Sequence, residues 1–162
     1  MKRHEYNTAV RALSGPLYGF ALRFLRNQED AQDIVQDVLE KLWINRKKVE
    51  FAKAKSWMFT TAHHTMINLI NKKQRLQFPG DENLPEKGVR SVSIFESNQV
   101  VERAVSILPP IQKSIILLRD LEGYSYDEIG EILDLSPSQV KVYLFRARTK
   151  IKKQLKGLTE LV

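Results

Sequence analysis

The sequence predicts an all-α protein built from two small helical domains joined by a flexible linker. Three observations carry the prediction. Apolar residues recur with helical period in both halves of the chain. No stretch alternates with the period of two that a half-buried strand requires. Residues 77–97 break the pattern with Pro79, Gly80, Pro85 and Gly88 among scattered charges. The domains are therefore placed at residues 1–76 and 98–162, and a coil over 77–97 would typically span about 26 Å.

The elements follow in order. Tyr18 to Leu25 is largely apolar and reads as the first helix. In the next, Ala31, Ile34, Val35, Val38, Leu39, Leu42 and Trp43 form one continuous helical stripe, leaving Asp33, Gln36, Asp37 and Glu40 on the outer face. Residues 45–56 are basic and aperiodic, a loop carrying Phe51. A third helix is expected from about Lys53 to Lys73, with Trp57, Met58, Thr61, Met66, Ile67 and Ile70 on its neutral side. In the second half, Asn98 to Leu108 ends at Pro109 and Pro110, which stop one helix and can start another. Ile111 to Glu122 follows, with Gly123 at the C-terminal cap. Tyr126 to Leu133 is a short helix with Ile129, Ile132 and Leu133 inward. Ser136 is a good N-cap and Pro137 suits the first position of a last helix, lined by Val140, Leu144, Ala147, Ile151 and Leu155.

Composition bounds the function. The 162 residues are 43% hydrophobic and 28% charged, enough for real cores under a polar surface. No run of about 18 apolar residues is present, so membrane insertion is not expected. The start, MKRHEYNTAV, lacks the apolar core of a secretory signal. The absence of cysteine excludes disulfides, thiolate metal sites and cysteine nucleophiles, and it fits a cytoplasmic setting. The net charge of +7 favours a polyanionic partner. Its distribution says more. Glu29, Asp30, Asp33, Asp37 and Glu40 occur in a stretch without Lys or Arg, whereas Lys141, Arg146, Arg148, Lys150, Lys152, Lys153 and Lys156 occur in one without acids. Phosphates would be repelled by the first and attracted by the second.

The last two helices have the form of a helix-turn-helix, whose second helix protrudes far enough to enter a DNA major groove. Residues near its start, Ser138, Gln139, Lys141 and Val142, can reach base edges, with Phe145 and Arg146 one turn further on. Arg148, Lys150 and Lys152 would flank the groove at phosphates, and the backbone N–H groups after Ser136 could bind another. An ordinary helical hairpin with a solvated basic face is the plainer alternative.

Read together, the halves resemble the ECF (extracytoplasmic function) sigma factors of bacterial RNA polymerase. Asp30, Ala31, Asp33, Gln36 and Trp43 match the motif of region 2, and Leu108 to Leu155 looks like region 4. The resemblance implies a region 2 helical bundle and a region 4 helix-turn-helix bundle. It implies a non-enzymatic subunit that binds core RNA polymerase and directs initiation at promoter DNA. The acidic face of Asp33, Gln36, Asp37 and Glu40 would dock on the polymerase. Phe51, Lys53, Lys55, Trp57, Thr60, Thr61, His63, His64, Asn68, Lys72 and Lys73 match the positions that read the −10 element. Lys141, Val142, Phe145 and Arg146 match those that read the −35 element. Members are often held inactive by an anti-sigma factor, which makes one a candidate partner. The chain departs from the family at Ala62-His63-His64, where Ala-Arg-Asn is usual, so base preference at −10 does not carry over. Gly130 replaces the usual Ala, Asp134 the usual Gly, and Val142 a residue that is often small and polar.

No catalytic residue, metal or cofactor is expected. Asp33 and Asp37 lack a nearby His or Gly-rich phosphate loop. His63 and His64 point about 100° apart on a helix and cannot easily share an ion. A helix-turn-helix repressor or response-regulator output domain that binds DNA as a dimer is the competing reading, but a plain repressor has no use for the acidic face. A protein–protein adaptor leaves the basic final helix unexplained.

Overall fold

Helix α1 (Arg3–Leu25) begins fifteen residues before the expected Tyr18, the difference between positions 18 and 3. Pro16 lies inside it and removes one backbone donor, yet the helix continues because Ala9, Leu17, Phe20, Ala21 and Phe24 are buried against its neighbours. It ends at Arg26, whose left-handed φ of 56° brings its N–H to the Leu22 carbonyl. Helix α2 (Gln28–Ile44) is capped by the Asn27 side chain, which accepts from the Asp30 N–H at 2.8 Å. Its buried stripe is Ala31, Ile34, Val38 and Leu42, as the periodicity predicts. A short 3₁₀ turn (Phe51–Lys53) leads into α3 (Ala54–Leu76). These three helices pack on one another around Phe20, Phe59, Met58 and Met66.

The computed structural model describes residues 1–76 and 97–161. The predicted linker, 77–97, lies outside the described residues except for Ser97. Helix α4 (Ser97–Ser106) precedes α5 (Pro110–Ile116), which continues as a π-helical turn over Leu117–Leu121 rather than as a uniform helix to Glu122. Gly123 then takes a φ of 73°, the left-handed value a helix C-terminus favours in glycine. Helix α6 (Tyr126–Leu133) opens with a reciprocal cap: Ser125 Oγ accepts from Glu128 N–H, and Glu128 Oε1 accepts from Ser125 N–H. Helix α7 (Pro137–Leu161) runs six residues beyond the expected Leu155, the difference between positions 161 and 155. It packs on α4, α5 and α6 through Val140, Leu144 and Ala147. Seven α-helices and no strand are present among the described residues, so the all-α prediction holds.

The turn between α6 and α7 explains two of the departures. Asp134 adopts a left-handed φ of 59° and caps α6. A Cβ on Gly130 would lie 2.4 Å from the Leu135 carbonyl oxygen, a backbone atom that cannot swing away. Glycine at 130 thus lets the turn fold back onto α6, and the Leu135 N–H bonds the Gly130 carbonyl at 2.9 Å.

The two helical groups also pack against each other: α1 on α4 and on the π-helical turn, and α3 on α6. Phe59 of α3, fully buried, meets Phe20 at 5.4 Å and, edge to face, Tyr124 at 5.4 Å. Lys113 of α5 is buried and donates to the Phe24 carbonyl at 3.2 Å, at the C-terminal end of α1 where a cation is favoured.

Candidate nucleic-acid interface

Helix α7 starts from a firm cap. Ser136 Oγ accepts from Gln139 N–H at 3.1 Å, and Gln139 Oε1 accepts from Ser136 N–H at 2.9 Å. Gln139 is therefore engaged with the backbone, and reaching a base would require it to leave that bond. Ser138, Lys141, Val142, Phe145, Arg146 and Lys150 are all exposed. Phe145 is 72% exposed, far more than a core aromatic, and Val142 is 47% exposed beside it. Arg146 lies over the Tyr143 ring at 5.9 Å and Lys141 over Tyr126 at 5.7 Å, contacts loose enough to leave both charges available. Arg148 is paired with Asp120 at 2.8 Å across the domain. An apolar pair flanked by cations on a protruding helix has the chemistry to meet thymine methyls, base edges and phosphates in one groove.

On α2, Asp33, Gln36 and Glu40 are exposed and Asp37 is half-buried and paired with Lys41 at 3.0 Å. Beside them is a shallow cleft lined by Tyr6, Gln36, Leu39, Glu40, Trp43 and Ile44. Trp43 is half-buried there, edge-on to Tyr6 at 5.0 Å and covered by the Arg46 guanidinium at 3.6 Å. Tyr6 donates to the Leu39 carbonyl at 2.9 Å and so fixes α1 to this face. Burial and the Glu40 charge push the Tyr6 hydroxyl pKa up. A second cleft, on the turn before α3, is lined by Asn45, Lys48, Val49, Glu50, Lys53 and Trp57. Phe51 lies near it, 43% exposed.

The α3 residues expected at −10 DNA divide into two sets. His64, Asn68 and Lys72 are exposed, Thr61 is half-buried, and Lys73 is exposed but paired with Asp30 at 2.5 Å. The others, with Lys53 on the turn before α3, make contacts with the second helical group, Lys53 while still exposed. Lys53 pairs with Glu131 at 2.8 Å and Lys55 with Glu128 at 2.6 Å. Thr60 donates to the Ile132 carbonyl at 2.8 Å. His63 is buried, with Nδ1 2.7 Å from Ser114 Oγ and its ring edge-on to Phe24. Among the described residues, no group of three or more His, Asp or Glu side chains could hold a metal ion.

Residues 9–76 match the family described as Sigma-70 region 2, and residues 98–151 match Sigma-70, region 4. The chain is 30% identical over 139 residues to the RNA polymerase sigma factor SigV of Bacillus subtilis, covering 85% of this chain and 83% of that one. The chain belongs to the ECF class of RNA polymerase sigma factors. It is also 27% identical over 160 residues to the ECF RNA polymerase sigma factor SigW of the same organism, covering 88% of this chain and 84% of that one. Its fold matches that of the sigma factor RpoE in complex with the anti-sigma factor NepR from Bartonella quintana, with a TM-score of 0.73, 23% identity and coverage of 93% and 96%. A score of that size over nearly the whole chain requires both helical groups to superpose together. Sigma factors of this class are transcription regulators, not catalysts, and this one binds core RNA polymerase and promoter DNA.

Sequence reasoning missed the residues that cover α3. Ser114, Tyr124, Glu128 and Glu131 carry no local signal of that contact, since their partners lie 51 to 78 positions away in the chain. Tyr6 was hidden with the start of α1.

The buried imidazole gives this packing a pH dependence. Burial, and to a lesser degree the charge of His64, lower the His63 pKa from 6.5 to about 4. The groups facing it are His64 on its own helix, Phe24 on α1 and Ser114 on α5, next to the buried ammonium of Lys113. The packed state holds His63 neutral, so its stabilisation is complete above pH 6.5 and declines as pH falls toward 4. At pH 5 the loss is roughly 2 kcal/mol. Urea unfolding at pH 7 and 5 should show it, and His63→Gln should remove most of the difference. Equal stability of the wild type at both values would contradict a buried neutral imidazole.

Proposed function

We propose that this sigma factor directs polymerase to two promoter elements, reading a −35 duplex with α7 and an unpaired −10 strand with the α3 surface and the turn before it. The observation that carries the reading is the exposed Val142–Phe145–Arg146 face, held on a helix that is capped at its start and flanked by Lys141 and Lys150. Exposed apolar side chains set among cations fit a groove that offers methyls and phosphates together. On α3, Phe51 and Trp57 supply rings for unstacked bases, and His64, Asn68 and Lys72 supply polar and cationic groups along the strand. The acidic face of α2 is assigned to the polymerase, since phosphates would be repelled there. Residues 1–76 and 98–162 are the two functional units, and 77–97 is the tether between them. Two elements two helical turns apart lie roughly 70 Å from each other, which one rigid small domain could not span. The setting is the cytoplasm, where polymerase acts, and an anti-sigma factor is the expected inhibitor, as NepR accompanies RpoE.

Selection from a promoter library with the reconstituted holoenzyme tests this reading. Two separated sequence blocks are expected. Arg146→Ala should cost about 1–3 kcal/mol in binding and relax preference in the upstream block alone. A single block, or an unchanged upstream preference in the variant, would refute the assignment of α7.

A further inference from the structure

Of the cations between Lys141 and Lys156, Arg148 is the one that a carboxylate meets among the described residues. Its Nη2 stands 2.8 Å from Asp120 Oδ1, and both side chains are about half exposed. Asp120 comes from the π-helical turn, a departure from α-helix that often marks a functional position. Arg119 beside it is engaged elsewhere: it donates to the Tyr124 carbonyl at 2.8 Å and lies over the Tyr126 ring at 4.6 Å. Asp120 thus reaches across to α7. On that helix Arg148 follows Lys141 by seven residues and Phe145 by three, so the three share one edge, the rim of the exposed Val142–Phe145–Arg146 face. A carboxylate stands on this rim where a duplex would bring phosphates.

We infer that Asp120 is a specificity-determining residue for −35 recognition: it holds Arg148 away from the DNA backbone, so that the grip of α7 depends on contacts with bases. The inference rests on the −35 reading of α7 given above and adds the residue that limits its sequence-independent part. The pair is poorly explained as a prop. Exposed ion pairs contribute little to stability, and α7 is already fixed by the buried Val140, Leu144 and Ala147. Its effect on a polyanion is larger. A phosphate approaching Arg148 must displace Asp120 and meets the carboxylate charge as it does so. Binding without sequence preference consists almost wholly of phosphate contacts, whereas binding to a preferred site adds contacts with base edges and methyls. A duplex in the preferred register is positioned by Val142, Phe145 and Arg146 and leaves the pair intact. A duplex in any other register has only phosphates to offer, and the pair removes one of their contacts.

The test is binding of the full chain to two labelled duplexes of equal length over a range of salt concentrations. One carries the upstream block selected with the holoenzyme, the other a random sequence. Asp120→Asn frees Arg148 while keeping the shape of the side chain. It should raise affinity for the random duplex about three- to tenfold and steepen the salt dependence by about one phosphate contact, with a gain below about twofold on the preferred duplex. Adding Arg148→Ala to Asp120→Asn should abolish the gain, since the freed guanidinium makes it. The specificity role is overturned by an equal gain on both duplexes, by an unchanged salt dependence, or by a gain that survives Arg148→Ala, which would reflect net charge alone. Loss of affinity for both duplexes would also overturn it and mark Asp120 as a prop for α7. In each of these cases a wild type that still prefers the selected duplex keeps the −35 reading. A wild type that binds the two duplexes equally would instead remove the −35 reading, and the specificity role with it.

Discussion

Charge reversal of Asp33 and Asp37 to lysine is expected to weaken binding to core polymerase by about 3 kcal/mol, near a hundredfold in Kd. The carboxylates stand one turn apart on α2, beside the Tyr6–Trp43–Ile44 cleft, on a face where Gln36 and Glu40 are also exposed. A partner surface that complements four such side chains must be polar or basic, and two lysines would set like charges against it. The fold should hardly register the change. Asp33 is exposed, and among the described residues the ion pair lost is the helical Asp37–Lys41 contact, worth about 0.3–0.5 kcal/mol. Binding to a −35 duplex should also be unaffected, since α7 packs on α4, α5 and α6. Titration of labelled polymerase with wild type and the double variant measures the difference. Equal affinity would show that the acidic face does not dock.

Phe59→Ala should have the largest effect on stability, about 4 kcal/mol. The ring is fully buried, and its loss removes the contacts with both Phe20 and Tyr124. Each such aromatic pair adds to the cost of the cavity itself. Against a total of roughly 5–15 kcal/mol for a domain of this size, the variant would be close to unfolding at physiological temperature. Phe59→Leu keeps most of the volume and should lose much less. Chemical denaturation of the three proteins gives the ranking. A loss below about 1 kcal/mol in Phe59→Ala would mean that the first helical group does not close around this ring.

Much of this fold was legible because it is written locally. The Ala31–Trp43 stripe, the Ser136-Pro137 start and the Gly123 stop are short-range signals of period and capping, and each lies where it was expected. The start of α1 was not legible. Pro16 and Gly15 interrupt the pattern, and the helix persists through packing on α2 and α3, which no local window contains. The π-helical turn at Leu117–Leu121 was hidden for a similar reason, since its apolar residues read equally well as continuous α-helix. The candidate site divides the same way. The exposure of Val142, Phe145 and Arg146 follows from helical phase. That His63 would be buried against Ser114 does not, because adjacent histidines on a helix give no sign of which one a distant element will cover.

The central claim is that one chain joins a polymerase-binding helix to a DNA-reading one. Transcription in vitro with purified core polymerase, with and without this protein, tests it most directly. The account predicts a stable complex and promoter-specific transcripts that core polymerase alone does not make. A polymerase that neither retains the protein nor gains promoter specificity from it would contradict the account.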